Sequence, residues 1–535
     1  MTSMNLSTLK RICSAPLATI AVFILALAAL NAWQAVLPNF HFDNSFSVAA
    51  AKNVAEGNGF TTKEALPADL SETVYVPINK WPPGYSWLMA VVMKSASADA
   101  VTAVYVVNGF VILFFLAGIY LTLTALRFPG WATNFFLLFA GFFPYPFLGA
   151  WFADLAAVSF FMLGIGLIML AHTTGKNLVL LAIASAIFCS YCIFLKYLYL
   201  PVAILPLVVW AWYALRTGKR KQFSAALGGA AIVSAAAVML LIYQSRHSGE
   251  PVYINPTGRG FFPGHALHVG ALIPASLIDD HFLSVQLSTL TGFGYHNAQL
   301  LLRIINYILM LGLLIWLIRW WRNGGNRRLY PFIMLVVSIA TSGMLLYLSL
   351  TFAPYRSEFT AFWTYVEELR YYAIVVVFIQ QWLFWYFLVH KPATTTWLRK
   401  ILRATTVIIV WAGITHGAYY LFKQTIIRKE AGINKLNEQT DLGALAIVNR
   451  IKQQHPSVII CSNNHELVNI ASLSGAPVLY DYQIMNDSLK TSKPVMMLFI
   501  AQDKYEDRFR PFMDRYKPAK VGHSYGFSFY LAAIR

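Results

Sequence analysis

Apolar runs of about 20 residues recur along most of this chain, and they constrain its fold more than any other feature. A backbone inside lipid must satisfy its own hydrogen bonds, so runs of this length predict transmembrane helices. A membrane barrel would instead show weaker segments of alternating polarity. The sequence predicts eleven spans, near residues 17–37, 100–126, 131–148, 151–171, 177–194, 198–215, 223–243, 298–319, 330–352, 371–390 and 402–422.

The charged residues agree with a membrane protein. Only 12% of the residues are charged and 58% are apolar, and the formal net charge is +18. The cations stand at the ends of spans and form no patch with exposed aromatic residues, which argues against nucleic-acid binding. Lys10 and Arg11 precede the first span, which predicts a cytoplasmic amino terminus. The other cations gather in alternate loops, all on the cytoplasmic side if the amino terminus is cytoplasmic. Because the predicted number of spans is odd, the carboxyl terminus is then predicted to be outside.

These predictions define a polytopic α-helical membrane protein with a small carboxyl-terminal α/β domain outside the membrane. The transmembrane domain covers residues 1–422, and its external loops are 38–99, 244–297 and 353–370. The tail, 423–535, changes composition: four short apolar segments predict strands, and 441–454 and 504–516 predict helices. The tail has no phosphate-binding glycine loop and no zinc-site spacing.

The first external loop carries the leading candidate residue, Asp43, a few positions after the first span. A carboxylate there could stay at the boundary of water and lipid and act on a molecule presented from the bilayer. The alternative is a helix cap, because a helix is predicted from Ser45 to Glu56 and Asp is a good amino-terminal cap. Gly57 and Gly59 suit the end of that helix.

The first external loop contains a set of short motifs in a fixed order. An acid after the first span is followed by Ala51, Ala55, Gly57 and Gly59, and a Pro82-Pro83-Gly84-Tyr85 return precedes a further span. Over roughly residues 15–215 the set resembles the GT-C superfamily of glycosyltransferases that use polyprenyl-phosphate sugars, and within it the protein mannosyltransferase and lipid A aminoarabinose transferase families. Related transferases have an acid just before the return. This chain has Lys80 there instead, which departs from both families.

The resemblance implies an inverting transferase in the inner (cytoplasmic) membrane. A sugar on a polyprenyl phosphate would enter from the bilayer, and the hydroxyl of a lipid, glycan or protein acceptor would attack it on the external (periplasmic) face. The acid matched by Asp43 would act as general base or orient the acceptor. A carboxylate suits this role because it can accept a hydroxyl proton.

The resemblance also suggests residues at other external span ends. Asp154 resembles an acid at the start of the family's fourth span, with helix capping as the alternative. Lys196 resembles a basic residue after the fifth span that could hold the lipid phosphate. For Lys196 and for Lys80, which could also meet that phosphate, snorkelling to the interface is the alternative.

The loop 353–370 supplies further donor-phosphate candidates. Arg370 precedes an aromatic residue at a span, as in similar transferases, and a guanidinium binds phosphate bidentately; Arg356 is second. A helical contact between Arg370 and Glu367 is the alternative. Substrate binding is assigned to residues near these candidates, namely Tyr85, Tyr197 and Glu367.

No cofactor is implied, and a divalent metal is left open. The loop 244–297 contains His265, His268, Asp279, Asp280 and His281, but the acids follow the histidines at no defined interval, which favours a polar loop without a ligand. Two other functions compete with glycosyl transfer. A flippase or transporter for lipid-linked saccharides would need polar residues near the bilayer midplane, and a non-catalytic scaffold would only display the tail domain.

Overall fold

The computed structural model describes most of the chain. The helices in chain order are α1 (Pro16–Val36), α2 (Phe42–Glu56), α3 (Gly84–Ala96), α4 (Ala100–Ala125), α5 (Gly130–Phe142), α6 (Phe152–Thr174), α7 (Leu178–Leu195), α8 (Leu205–Arg216), α9 (Arg220–Ser248), α10 (Tyr295–Arg322), α11 (Leu329–Thr351), α12 (Ala373–Phe384), α13 (Trp397–Ala431), α14 (Asp441–Gln454), α15 (His465–Ser472) and α16 (Arg510–Tyr516). The strands are β1 (Thr61–Leu66), β2 (Asp69–Pro77), β3 (Ile459–Ser462), β4 (Val478–Tyr480), β5 (Val495–Gln502), β6 (Ala519–Ser524) and β7 (Phe527–Ile534). The described residues are 16–36, 42–143, 152–251, 261, 263, 287–289, 291–322, 328–351, 369–389, 397–431, 441–462, 465–480, 489–502, 510–524 and 527–535.

A helix lies at each of the eleven places where the sequence predicts a span. Within the described residues, six helices are long and apolar enough to cross a membrane: α1, α4, α6, α7, α9 and α11. The chain is therefore a helical, multi-pass membrane protein. The total of eleven spans stays a prediction.

Helices α5 and α8 are shorter than the predicted spans, and proline accounts for both. The predicted span 131–148 is helical only to Phe142, and Pro144 and Pro146 follow. The predicted span 198–215 forms a helix only from Leu205, with Pro206 in its first turn. Proline lacks the backbone N–H of an interior helical residue, and it disfavours helical geometry in the residue before it.

The chain divides into two compact units, and the first is helical. It comprises Met1–Ala35, Phe110–Tyr243 and Pro251–Tyr419. Small residues let its helices approach closely, as is common for helices packed in lipid. A Cβ on Gly118 of α4 would stand 2.5 Å from the Met162 carbonyl carbon of α6, and one on Gly141 of α5 would stand 2.7 Å from the Ala26 Cα of α1.

Helices α6 and α7 form an antiparallel pair within this unit. The Ser185 hydroxyl donates to the Gly164 carbonyl over 2.8 Å, and the Cys192 thiol lies 3.3 Å from the Ala157 carbonyl. Residue numbers therefore increase along α7 while the numbers of their contacts on α6 decrease. As a consequence, the start of α6 and the end of α7 lie at the same end of the pair.

The second unit contains a seven-stranded sheet. This unit comprises Val36–Gly109, Gln244–Glu250 and Tyr420–Arg535, and the strand order is β2-β1-β4-β3-β5-β7-β6. The central strands β1, β4, β3 and β5 pair in parallel, and the hairpins β1–β2 and β6–β7 extend the two sides with antiparallel pairing. Apolar side chains on both faces, such as Ile460 and Phe499, are fully buried, as expected for parallel strands covered on both sides.

The carboxyl-terminal tail shares this sheet with two strands of the first predicted loop. Glu64 of β1 pairs in parallel register with Val478 of β4. Beside this, the Asp69 carboxylate accepts hydrogen bonds from the backbone N–H groups of Ser71 and Ser492, at 3.0 and 2.9 Å. A hydrogen bond from the Ser492 side chain, these two backbone bonds and a bond from the Ser71 hydroxyl hold the pKa of Asp69 well below its usual range.

Candidate functional site

An ion pair between Asp154 and Lys196 is the best-defined polar feature among the predicted site residues. Asp154 stands in the first turn of α6, and Lys196 directly follows α7. The antiparallel packing of the two helices brings these ends together, and the Lys196 Nζ donates to Asp154 Oδ1. Only 6% of the Asp154 side chain and 16% of the Lys196 side chain are exposed. A half-buried lysine at this position needs such a partner, because an uncompensated charge in the membrane is costly.

The backbone leaves helical geometry at Lys196. Lys196 has an extended conformation, with φ −155° and ψ 127°, while its N–H still donates to the Cys192 carbonyl over 2.9 Å. A 3₁₀ turn, Tyr197–Tyr199, follows at once. The lysine therefore lies at an extended residue between two helical segments, and its cation contacts a second element of the fold.

That second element is the 3₁₀ turn Leu369–Tyr372, which precedes α12. The Lys196 Nζ lies 4.7 Å from the ring centroid of Tyr371. A cation over an aromatic face at this distance is attracted by the ring quadrupole. One ammonium group thus contacts a carboxylate from α6 and an aromatic ring from the turn before α12.

Arg370 is the neighbour of Tyr371 in this turn. Its backbone therefore lies within one residue of the ring that contacts Lys196, although its side chain is outside the described residues. Arg356 and Glu367 lie entirely outside them. Their proposed roles in donor and substrate binding stay predictions.

Asp43 is the second residue of α2, which starts three residues earlier than the sequence predicts. An acid in the first turn is favoured by the helix dipole, so a structural role remains beside the catalytic one. The Asp43 side chain lies outside the described residues. The structure describes the contacts that position the rest of α2.

A buried chain of hydrogen bonds fixes α2 near its start. Asn469 of α15 donates from Nδ2 to the Ser45 hydroxyl over 3.1 Å, and its Oδ1 accepts from the Tyr480 hydroxyl over 3.2 Å. Asn469 is 1% exposed and Ser45 is fully buried. Phe46 packs against Trp81 and Tyr480, with ring centroids 4.9 and 6.4 Å apart. The tail of the chain therefore sets the position of the helix that carries Asp43.

We expect Asn469→Ala to loosen this helix. The substitution removes both hydrogen bonds and leaves buried hydroxyl groups without these partners, a loss of about 1–3 kcal/mol in the free energy of unfolding. Backbone amides of α2 should then exchange with deuterium faster than in the wild type. Gln453→Ala, on an exposed position of α14, is the control. Unchanged exchange in α2 would show that the bond to Asn469 does not hold the helix.

The other predicted residues have ordinary structural contacts. Lys80 is exposed, and its Nζ lies 4.8 Å from the Trp81 ring centroid. Tyr85 is 1% exposed, and its hydroxyl donates to Asn108 Oδ1 over 2.7 Å. Tyr197 is half-buried in the turn after Lys196. Phosphate binding by Lys80 and substrate binding by the two tyrosines stay predictions.

Within the described residues, no group of three His, Cys, Asp or Glu side chains could hold a metal ion. The candidates His265, His268, Asp279, Asp280 and His281 lie outside the described residues. Metal binding in that loop therefore stays untested.

Sequence reasoning missed two contacts that organise these regions. The sequence shows Tyr371 only as an aromatic residue after Arg370, and nothing in the sequence indicates that its ring contacts Lys196. Asn469 gave no signal, because a single polar residue in a short helix is usually exposed. Only its burial against Ser45 and Tyr480 distinguishes it.

No protein-family model matches the sequence, and no curated protein matches it. The chain is similar to the crystal structure of apo ArnT from Cupriavidus metallidurans, with 14% identity, a TM-score of 0.45, and coverage of 96% of this chain and 98% of that one. For the same protein bound to undecaprenyl phosphate, the identity is 14%, the TM-score 0.44, and the coverage 97% and 98%.

A third similar structure is the Archaeoglobus fulgidus oligosaccharyltransferase tethered to an acceptor peptide. It shares 12% identity with a TM-score of 0.48, and the match covers 97% of this chain and 74% of that one. At these identities and TM-scores, the activity of this chain has to be argued from its own residues.

Proposed function

We propose that this protein is a membrane glycosyltransferase that moves a sugar from a polyprenyl-phosphate donor to a hydroxyl acceptor on the external face. The observation that carries the proposal is the ion pair between the buried Asp154 and the half-buried Lys196, closed on one side by Tyr371 and adjoined by Arg370 in the chain. It is a lysine-centred group at the predicted external end of two membrane helices. This is the chemistry that a lipid phosphate needs there.

The pair leaves Lys196 able to bind an anion. An ammonium group has three N–H donors, and one of them meets Asp154. A phosphate that enters beside this pair would be attracted by the ammonium charge, and Arg370 can add a bidentate contact. Asp154 has two consequences for such a site. It compensates the positive charge of a lysine that has little contact with water, and it fixes the direction of the side chain.

The proposed reaction is a single displacement. The acceptor oxygen forms a bond to the anomeric carbon, and the bond from that carbon to the phosphate oxygen breaks. The electron pair leaves with the polyprenyl phosphate, where Lys196 and Arg370 stabilise the developing charge. The acceptor proton passes to the Asp43 carboxylate. Attack from the face opposite to the leaving group inverts the anomeric configuration.

A transfer assay with the full chain tests the proposal. Purified protein in detergent is first examined by native mass spectrometry for a co-purified lipid, whose mass identifies the donor class. That donor is then added with candidate lipid, glycan and peptide acceptors. We expect release of polyprenyl phosphate together with an acceptor that is heavier by one sugar.

The same protein in vesicles separates this function from transport. A transporter would move the intact lipid-linked sugar across the bilayer without releasing polyprenyl phosphate. Uncleaved donor that changes leaflets would therefore overturn the proposal and favour the transporter. Neither binding nor movement of a lipid-linked sugar would favour a scaffold.

A further inference from the structure

A groove of about 810 Å³ lies between the first half of α9 and the start of α7, within the helical unit. The two helices approach closely where a Cβ on Gly229 of α9 would stand 3.3 Å from the carbonyl oxygen of Ala182 on α7. A Cβ on Gly228 would have no atom within 4 Å, so the groove is open there.

The groove is apolar along its length and cationic at one end. Val179, Ile183 and Ile232 line it with side chains that are 66%, 41% and 37% exposed. Arg220 and Lys221 line the other part, where both helices begin. The described lining contains no acidic residue. Among the ion pairs found in the described part of the chain, none involves either cation.

This polarity matches one leaflet of a bilayer. Arg220 and Ile232 are separated by twelve residues of α9, or about 18 Å at the helical rise. Half of a hydrocarbon core is about 15 Å. The groove is thus as long as one acyl chain and has its cations at the depth of a lipid head group. The distribution of cations in the sequence predicts that this end is cytoplasmic.

The groove is separate from the proposed catalytic group. Lys196 follows the last residue of α7, whereas the groove meets the first residues of that helix. The eighteen residues of α7 span about 27 Å. A ligand at Arg220 and Lys221 therefore lies at the opposite end of α7 from the Asp154–Lys196 pair.

We propose that this groove binds one anionic glycerophospholipid, with an acyl chain along Val179, Ile183 and Ile232 and its phosphate at Arg220 and Lys221. Two cations without an acidic neighbour in the groove select a negatively charged head group. Basic pockets between membrane helices on the cytoplasmic side bind such head groups. The apolar length selects a lipid over a free anion.

Native mass spectrometry of the full chain can measure this binding. The probes are phosphatidylglycerol and phosphatidylcholine with identical acyl chains. We expect one phosphatidylglycerol to bind in preference to phosphatidylcholine, and excess inorganic phosphate not to displace it. The double variant Arg220→Gln/Lys221→Gln should bind phosphatidylglycerol about 30-fold more weakly.

Two further variants complete the design. Gly228→Leu fills open space in the groove, so it should weaken binding of both lipids while the protein still folds. Arg127→Gln removes an exposed cation from the loop after α4, on the same predicted face, and should leave binding unchanged. Equal binding of both lipids, or an equal loss in the Arg127→Gln variant, would overturn the proposal. Displacement by a polyprenyl phosphate would assign the groove to the donor instead.

Discussion

Replacing Asp43 by Asn is expected to reduce glycosyl transfer by about 10²–10⁴-fold while the protein still folds and inserts. A carboxylate that accepts a proton in the transition state contributes a factor of this size, and an amide of nearly the same shape cannot accept the proton. Transfer is measured as the rate at which the acceptor gains the mass of one sugar. Melting temperature in detergent reports whether folding is retained.

A second acid in the same predicted loop provides the control. Glu72 is exposed on β2, and Glu72→Gln removes one negative charge from this region without touching the proposed chemistry. We expect wild-type transfer from it. Near-normal transfer by the Asp43→Asn variant would remove Asp43 from the mechanism. It would then leave the acid with its alternative role in the first turn of α2.

The pH dependence of this variant adds an independent readout. A general base must be deprotonated, so wild-type kcat/KM should fall on the acidic side. In the Asp43→Asn variant, residual transfer should lose that acidic limb. A variant that merely misplaced α2 would lower the rate and keep the limb. Asn469→Ala, which acts on the position of the helix, provides this comparison directly.

The membrane helices could be predicted because their signal is local. Runs of apolar residues fix α4, α7 and α11 to within about two residues of their observed bounds. The errors occur where chain stiffness overrides hydropathy, as at Pro144 and Pro206. Hydropathy counts apolar side chains, but a helix also requires a backbone N–H at each interior position.

The hairpin β1–β2 could not be predicted because its stability is non-local. In β1, Thr62 and Glu64 are buried, and the Thr62 hydroxyl donates to the Glu64 carboxylate over 2.7 Å. A short segment with a charged residue facing inward lacks the apolar alternation of a strand. Its pairing partner β4 lies more than 400 residues away along the chain, so no local pattern could reveal the register.

The candidate site was predictable in part. Alternating spans place Asp154 and Lys196 at the same end of two adjacent helices, because α6 and α7 are joined by a tight turn. Their ion pair follows from that geometry. The contact with Tyr371 joins segments about 175 residues apart, and it depends on how α12 packs against the earlier helices.

The second large effect is expected at the Asp154–Lys196 pair. Lys196→Met alone leaves the buried Asp154 carboxylate without this partner, and Asp154→Asn alone leaves the half-buried Lys196 ammonium group without it. Each should lower the free energy of unfolding by about 3–5 kcal/mol, because removal of one partner exposes the full desolvation penalty of the other. The double variant should recover most of this stability. Thermal melting in detergent measures all three.

Transfer should respond differently from stability. The double variant should fold well and still lack transfer, because no ammonium group remains to hold the donor phosphate. Lys196→Arg should keep part of the activity, since a guanidinium also binds phosphate. If the double variant transfers sugar at the wild-type rate, the pair is structural only and Lys196 has no role in donor binding.

An exposed pair in the same chain shows why burial decides the size of the effect. Lys52 and Glu56 form an i,i+4 pair on α2, with 24% and 45% of their side chains exposed. Water and salt screen such a pair, which is worth about 0.3–0.5 kcal/mol. Lys52→Met should therefore change the melting temperature little, whereas Lys196→Met should change it strongly. Equal effects would mean that water reaches Asp154 and Lys196 freely, and the argument that burial makes each charge of this pair depend on the other would fail.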